Sequence, residues 1–212
     1  MQAISTVPVS EGSTPRSRRI SIGARIYAAG TDGIAWRVKS GAVRLDRITS
    51  EGRDYAGLAL RGDVIGAETL LYGCYSFEAY AIGDCELEPW LSADTTLSGE
   101  SLLQTLAGAE RRAADALALR AGEAFQRVRR LCLLLARYRE DGRREITIPE
   151  LRDMAAITNL TEATVSRAMS RLRRMGILQR QGHRRGLVLP GAAPAFAISS
   201  IRNSNITRKE QT

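Results

Sequence analysis

One histidine, three cysteines and two lysines among 212 residues leave little of the usual equipment for catalysis or metal binding. The histidine is His183, and no cluster of Cys, His and carboxylate falls at metal-ligand spacing. Neither a zinc site nor a nucleophile with its base emerges. The Gly-x-x-x-x-Gly-Lys pattern that cradles phosphate is missing as well. No catalytic residue, metal ligand or cofactor is therefore expected, and the chain does not read as an enzyme. Cys74, Cys85 and Cys132 are too few and too scattered for a disulfide framework, which suits a reducing compartment. No run approaches 18 apolar residues, and the first residues lack a basic-then-apolar signal pattern. A cytoplasmic protein that does not enter membranes is the expectation.

Arginine is what the chain has in abundance. Of 31 basic residues all but Lys39 and Lys209 are arginine, against 23 acidic ones, giving a net charge of +8 and a pI near 10.0. The charge is uneven. Acidic residues outnumber basic ones through Glu100, and the remainder is strongly basic. Two jobs on one chain are implied, with the basic half facing nucleic acid.

Residues 1–18 are rich in Ser, Thr, Pro and Gly and then basic, and read as a disordered arm. From Ile20 to about Leu91, short alternating runs such as Ala35-Trp36-Arg37-Val38-Lys39 alternate with glycine-bearing turns at a spacing of about ten residues. This rhythm predicts an all-β sandwich or barrel. Past Ser92 the rhythm stops. Leu102, Leu106, Ala109, Ala113, Ala116, Leu117, Ala124, Val128, Leu131 and Leu135 recur at helical steps through about Arg139. They mark one long amphipathic helix, or two with a break near Gly122. The alanine-rich part, 100–121, permits close helix–helix approach, as a dimer seam needs; packing on its own β-domain is the alternative.

The block 145–190 reads helix, turn, helix, hairpin. Pro149 suits a first helical turn, followed by Leu151, Met154, Ala155 and Ile157 on one face. Thr158-Asn159 breaks the helix, because Asn tolerates the left-handed conformation of a tight turn. Thr161 caps a second helix over 162–175, with Val165, Ala168, Met169 and Leu172 inward, and Gly176 ends it. Ile177–Arg180 and Gly186–Leu189 form two short strands joined by the basic turn Gln181-Gly182-His183-Arg184-Arg185. Small Ala155 sits where two crossing helices need it, and the second helix turns a polar face outward. This is a winged helix-turn-helix, whose partner is double-stranded DNA. Its candidate contacts are Thr161, Glu162, Thr164, Ser166, Arg167, Ser170, Arg171 and Arg174 on the helix, and His183, Arg184 and Arg185 on the wing. Arginine can grip guanine O6 and N7 together, while Thr and Ser hydroxyls beside free N–H groups suit phosphate.

The order of parts resembles the CRP/FNR (cyclic-AMP receptor/fumarate-nitrate regulator) family of bacterial transcription factors. Leu160-Thr161-Glu162-Ala163-Thr164-Val165-Ser166-Arg167 looks like the start of that family's recognition helix. Gly62-Asp63-Val64-Ile65-Gly66-Ala67-Glu68 resembles its Gly-Asp-x-(Ile/Phe)-Gly-Glu segment, with one residue inserted before the glutamate. The resemblance implies an α+β chain with an N-terminal β-roll (a cupin-like jelly roll), a long dimerisation helix and a C-terminal winged helix-turn-helix. Expected boundaries are 19–98 for the roll, 99–123 for the dimerisation helix, 124–190 for the DNA-binding domain and 191–212 for a tail.

It further implies a homodimer joined along helix 100–121 on a pseudo-palindromic promoter site, with RNA polymerase as a further partner. Arg167 matches the family arginine that contacts a base or phosphate. Where many members carry a glutamate that reads cytosine, this chain has Ala163, and Glu162 lies about 100° around the helix from it. In the sensor half, Glu68 and Ser76 match the cyclic-nucleotide cassette, but its arginine position holds Tyr75, so no response to cyclic AMP is expected. Another small effector could sit between roll and long helix, where Arg112 or Arg120 could meet a carboxylate. Control by abundance without an effector, and a redox sensor built on the cysteines, stand as alternatives.

Overall fold

The computed structural model describes residues 17–90, 99–138, 144–182 and 184–189. The expected tail at 191–212, most of the expected arm and His183 lie outside the described residues. The N-terminal half forms β1 (Arg18–Ile20), β2 (Arg25–Tyr27), β3 (Trp36–Ser40), β4 (Val43–Thr49), β5 (Gly52–Ala59) and β6 (Val64–Ile65). A single helical turn, α1 (Thr69–Tyr72), precedes β7 (Glu78–Ala81) and β8 (Cys85–Pro89). The strands pair antiparallel in two four-stranded sheets, ordered β1-β8-β3-β6 and β2-β7-β4-β5. Arg18 already pairs with Leu87, so the sheet begins one residue inside the expected arm.

Alternation along the strands turns Val38, Val43, Ala79 and Leu87 fully inward, where Trp36, Ile65, Tyr27 and Tyr75 complete the core between the sheets. The β3–β4 turn needs Gly41. Its φ is +100°, and a Cβ there would run into the backbone and Sγ of Cys85.

Two helices follow, α2 (Gly99–Arg120) and α3 (Ala124–Leu135), separated at Gly122 with φ +83°. The inward face of α2 is pinned to the roll by charge. Asp63, buried in the β5–β6 turn, accepts the Leu60 N–H at 2.7 Å and takes ion pairs from Arg111 at 2.5 Å and Arg112 at 3.5 Å.

The C-terminal part contains β9 (Arg137–Tyr138), β10 (Arg144–Thr147), α4 (Leu151–Thr158), α5 (Glu162–Arg174), β11 (Leu178–Arg180) and β12 (Arg185–Val188). The hairpin expected from sequence is half of a four-stranded sheet, β11-β12-β10-β9. β9 and β10 are too short to show a period; β10 pairs with β12, whose Gly186 lets it pass close to Ile146 and to the Gln179 carbonyl, and β9 pairs in turn with β10.

One core joins both halves. Ala42, Tyr55, Leu58 and Ile82 of the roll pack in the same cluster as Leu131 of α3, Met154 and Ile157 of α4, and Val165 and Leu172 of α5. Each of these larger side chains contributes about 1.5–3 kcal/mol by leaving water. The C-terminal half is therefore seated on the roll.

Candidate nucleic-acid interface

Helix α4 ends at Asn159, whose φ of +51° makes it the one non-glycine residue with positive φ among the described residues. The Leu160 N–H donates to the Ala155 carbonyl at 3.0 Å, closing the turn. Thr161 Oγ1 then accepts the Thr164 N–H at 3.2 Å and caps α5. Loss of such a cap costs about 0.5–2 kcal/mol. Glu162 in the first turn and Arg171, Arg173 and Arg174 in the last complement the helix dipole.

At about 100° per residue, buried Val165, Ala168, Met169 and Leu172 fall within roughly a third of the circumference of α5. The opposite side displays Ala163, Ser166, Arg167, Ser170 and Arg174, with Glu162 and Arg173 along its edge, all exposed. Arg167 stands at the centre of this surface, its Nη2 donating to Thr164 Oγ1 at 3.3 Å.

Several expected contacts are already occupied within the protein. Arg171 stacks on Phe125, 4.3 Å from the ring centroid, and reaches Glu123 at 3.7 Å, fastening α5 to the start of α3. Arg184 donates to Glu150 Oε1 at 2.8 Å, while Arg152 holds Oε2 of the same carboxylate at 2.7 Å. Together they keep the Glu150 carboxyl below the usual carboxylate range, chiefly through the Arg184 hydrogen bond. Arg184 thus braces the wing against the approach to α4. Arg185 is exposed on β12.

The structure also brings Arg152 and Arg180, which lie outside the candidate contacts, to this face. Arg152, Arg173, Arg180 and Arg184 line a groove of about 500 Å³ between the first turn of α4, α5 and β11. A sequence period cannot reveal this convergence, because the four come from separate elements. Arg180 Nε is tied to the Gly182 carbonyl at 2.7 Å, which fixes the wing turn.

In the roll, Ser76 donates its N–H to Glu68 Oε1 at 3.2 Å, so these two cassette residues meet. Tyr75 does not face an open site. It is buried, stacks on Tyr27 at 3.7 Å with the rings 5° from parallel, and donates its hydroxyl to the Ile34 carbonyl at 2.8 Å. The same oxygen accepts from Trp36 Nε1 at 3.2 Å. Side chains at Gly33 or Gly66 would overlap the Tyr75 ring. Arg112 is engaged by Asp63, and Arg120 lies over the Tyr55 ring at 5.3 Å.

Seen as a whole, the fold and this face define a β-roll joined to a winged helix-turn-helix that binds DNA. Residues 126–191 match the Crp-like helix-turn-helix domain. FixK2 of Bradyrhizobium japonicum is 26% identical, with a TM-score of 0.64 over 85% of this chain and 94% of that one. A CRP/FNR-family transcriptional regulator of Thermus thermophilus is 25% identical, with a TM-score of 0.55 over 82% and 93% of the two chains. A second Thermus thermophilus regulator, of the CRP family, shares the fold at 23% identity and a TM-score of 0.62, over 81% and 91%. No curated protein matches the chain. The protein is a DNA-binding transcription regulator with a Crp-like helix-turn-helix domain, similar in fold to regulators of the CRP/FNR family. Among the described residues no helix is long and apolar enough to cross a membrane.

Proposed function

We propose that the protein acts as a homodimer that places one α5 in each of two successive major grooves of a pseudo-palindromic promoter site. The half-sites then lie about 34–36 Å apart. Arg167 reads a base edge, with Ser166, Ser170 and Arg174 beside it, and Thr161 and Thr164 lie against phosphates. The observation that carries this reading is the outward half of α5, polar and arginine-rich on a helix whose other side is wholly buried. Fluorescence anisotropy against the DNA upstream of its own gene and a scrambled duplex tests it. A preference that survives moderate salt is expected, because base contacts do not release counterions. Equal, salt-sensitive binding to both duplexes would count against sequence-specific recognition by the unliganded protein.

The dimer seam is supported by the outer face of α2. Leu102, Leu103, Leu106 and Leu117 are 50–74% exposed there, with Ala107, Ala113 and Ala114 between them. Ala109 and Ala116 of the expected stripe are half-buried instead, since an alanine-rich helix has more than one small face. A Leu103→Glu, Leu117→Glu double variant is expected to sediment as a monomer and to lose its preference for two-half-site DNA, while retaining its circular dichroism spectrum.

Insensitivity to cyclic AMP is supported by Tyr75, which fills the sheet interface where the cassette has a cation. Titration calorimetry with cyclic AMP is expected to show no saturable heat at millimolar concentration. The redox alternative finds no comparable support. Cys85 Sγ donates to the Gly83 carbonyl at 3.1 Å, and burial raises its pKa. Burial pushes the Cys132 thiol up to about 12. At these two positions burial disfavours the thiolate that redox chemistry needs, whereas Cys74 is only half-buried.

A further inference from the structure

The roll and the DNA-binding half do not meet flush. Beside the close approach of Gly83 to Thr147, a cleft of about 440 Å³ opens between the two. Its roll side is formed by the β3–β4 turn, the end of β5 and the turn after β7; its other side is the end of α3 with β9, β10 and β12. The volume lies in the range of small-molecule sites.

Two features of the lining are chemically specific. Leu60, Ile82, Leu134 and Leu135 supply an apolar floor. Arg61, Arg137 and Arg185 converge on the same space from three elements, against one carboxylate, Glu145. Among the described residues none of the three arginines has an ion pair or a side-chain hydrogen bond, whereas Glu145 is engaged. Like charges facing a partly enclosed space repel one another, and an anion placed among them relieves this.

We propose that this cleft is an effector site for a small aryl or alkyl anion. Its phosphate or carboxylate is held by Arg61, Arg137 and Arg185, and its apolar part lies on Leu60, Ile82 and Leu134. Such a ligand touches the roll and the DNA-binding half at once, so its binding biases how α5 is presented. The chemistry of the site stands on the cleft; its regulatory consequence rests on the reading of the chain as a DNA-binding regulator. A small molecule is favoured over flanking DNA because a duplex backbone makes no use of a floor of leucine and isoleucine.

The test uses the full chain and three probes in titration calorimetry: phenyl phosphate, phenylacetate and inorganic pyrophosphate. At least one aryl anion is expected to bind once per chain, and which one binds distinguishes the phosphate source from the carboxylate source. Arg61→Glu is expected to weaken that binding by at least about tenfold, the loss of one charge-assisted contact. Its urea midpoint should stay unchanged. Saturation with the anion is expected to alter DNA affinity in the anisotropy assay. The proposal is overturned by absence of saturable aryl-anion binding, by pyrophosphate binding equally well, by Arg61→Glu binding as wild type does, or by DNA affinity indifferent to a bound anion. Should Arg61→Glu instead flatten the salt dependence of DNA binding with no anion bound by wild type, the cleft belongs to flanking DNA and the proposal falls. Arg167→Ala separates the two readings. If it binds DNA normally, the recognition assignment fails whatever the cleft binds; if it loses DNA while the anion still binds, both stand.

Discussion

Arg44→Ala is expected to destabilise the folded protein by about 3–5 kcal/mol, read as a lowered urea midpoint. Arg44 lies in β4 and holds Asp46 through Nε at 2.8 Å and Nη2 at 2.6 Å, while Nη1 reaches Asp153 of α4 at 2.9 Å. Asp46 is fully buried, so removing the guanidinium strands a carboxylate in the interior. Arg44→Lys should recover only part of the loss, because an ammonium lacks the planar fork that serves two carboxylates. Asp153→Asn should cost far less, since it leaves the Arg44–Asp46 pair whole.

Burial raises the pKa of Asp153 even though Arg44 and Arg152 lower it. A carboxyl whose folded pKa is raised contributes stability that is present below its unfolded pKa and lost as pH rises through the folded value. At neutral pH the asparagine variant should therefore give up little. A cycle of Arg44→Ala and Asp153→Asn isolates the part of the network that crosses from the roll to α4.

Arg167→Ala is expected to weaken specific DNA binding by about 1–3 kcal/mol, roughly five- to 150-fold, without changing the unfolding midpoint. The side chain is exposed, and its hydrogen bond to Thr164, at 3.3 Å, stays on the surface of α5. Nothing in the core depends on it. Arg171→Ala should behave differently. It gives up the Phe125 stack and the Glu123 pair, so its effect on DNA is expected to come with a loss of stability. Anisotropy and denaturation on the same two variants distinguish a contact residue from a fastening one. Arg167→Ala binding its site as tightly as wild type would mean that α5 is misplaced as the reading element.

The helix-turn-helix was legible in the sequence because its determinants are local. A cap at Thr161, a left-handed residue at Asn159, a small residue at Ala155 and a buried stripe at helical spacing each act within a few residues of themselves. The roll was legible as alternating strands for the same reason, since glycine turns and period-two burial need no distant partner. β9 and β10 were not, because strands of two and four residues acquire their identity only from the neighbours they pair with.

What the amino-acid sequence determined by itself is the helix-turn-helix and the two faces of its second helix: a capped helix with one apolar side and one arginine-rich side can be read from spacing alone. The tertiary structure decided which arginines stay at that surface. Arg171 and Arg184 are drawn to Phe125, Glu123 and Glu150, partners 34 to 48 positions away in the chain. It also placed Tyr75 in the core and set Arg61, Arg137 and Arg185 around one cleft. The physical reason is common to all of these. Whether a charged or aromatic side chain is free depends on what packing brings within a few ångströms of it, and no local pattern carries that distance.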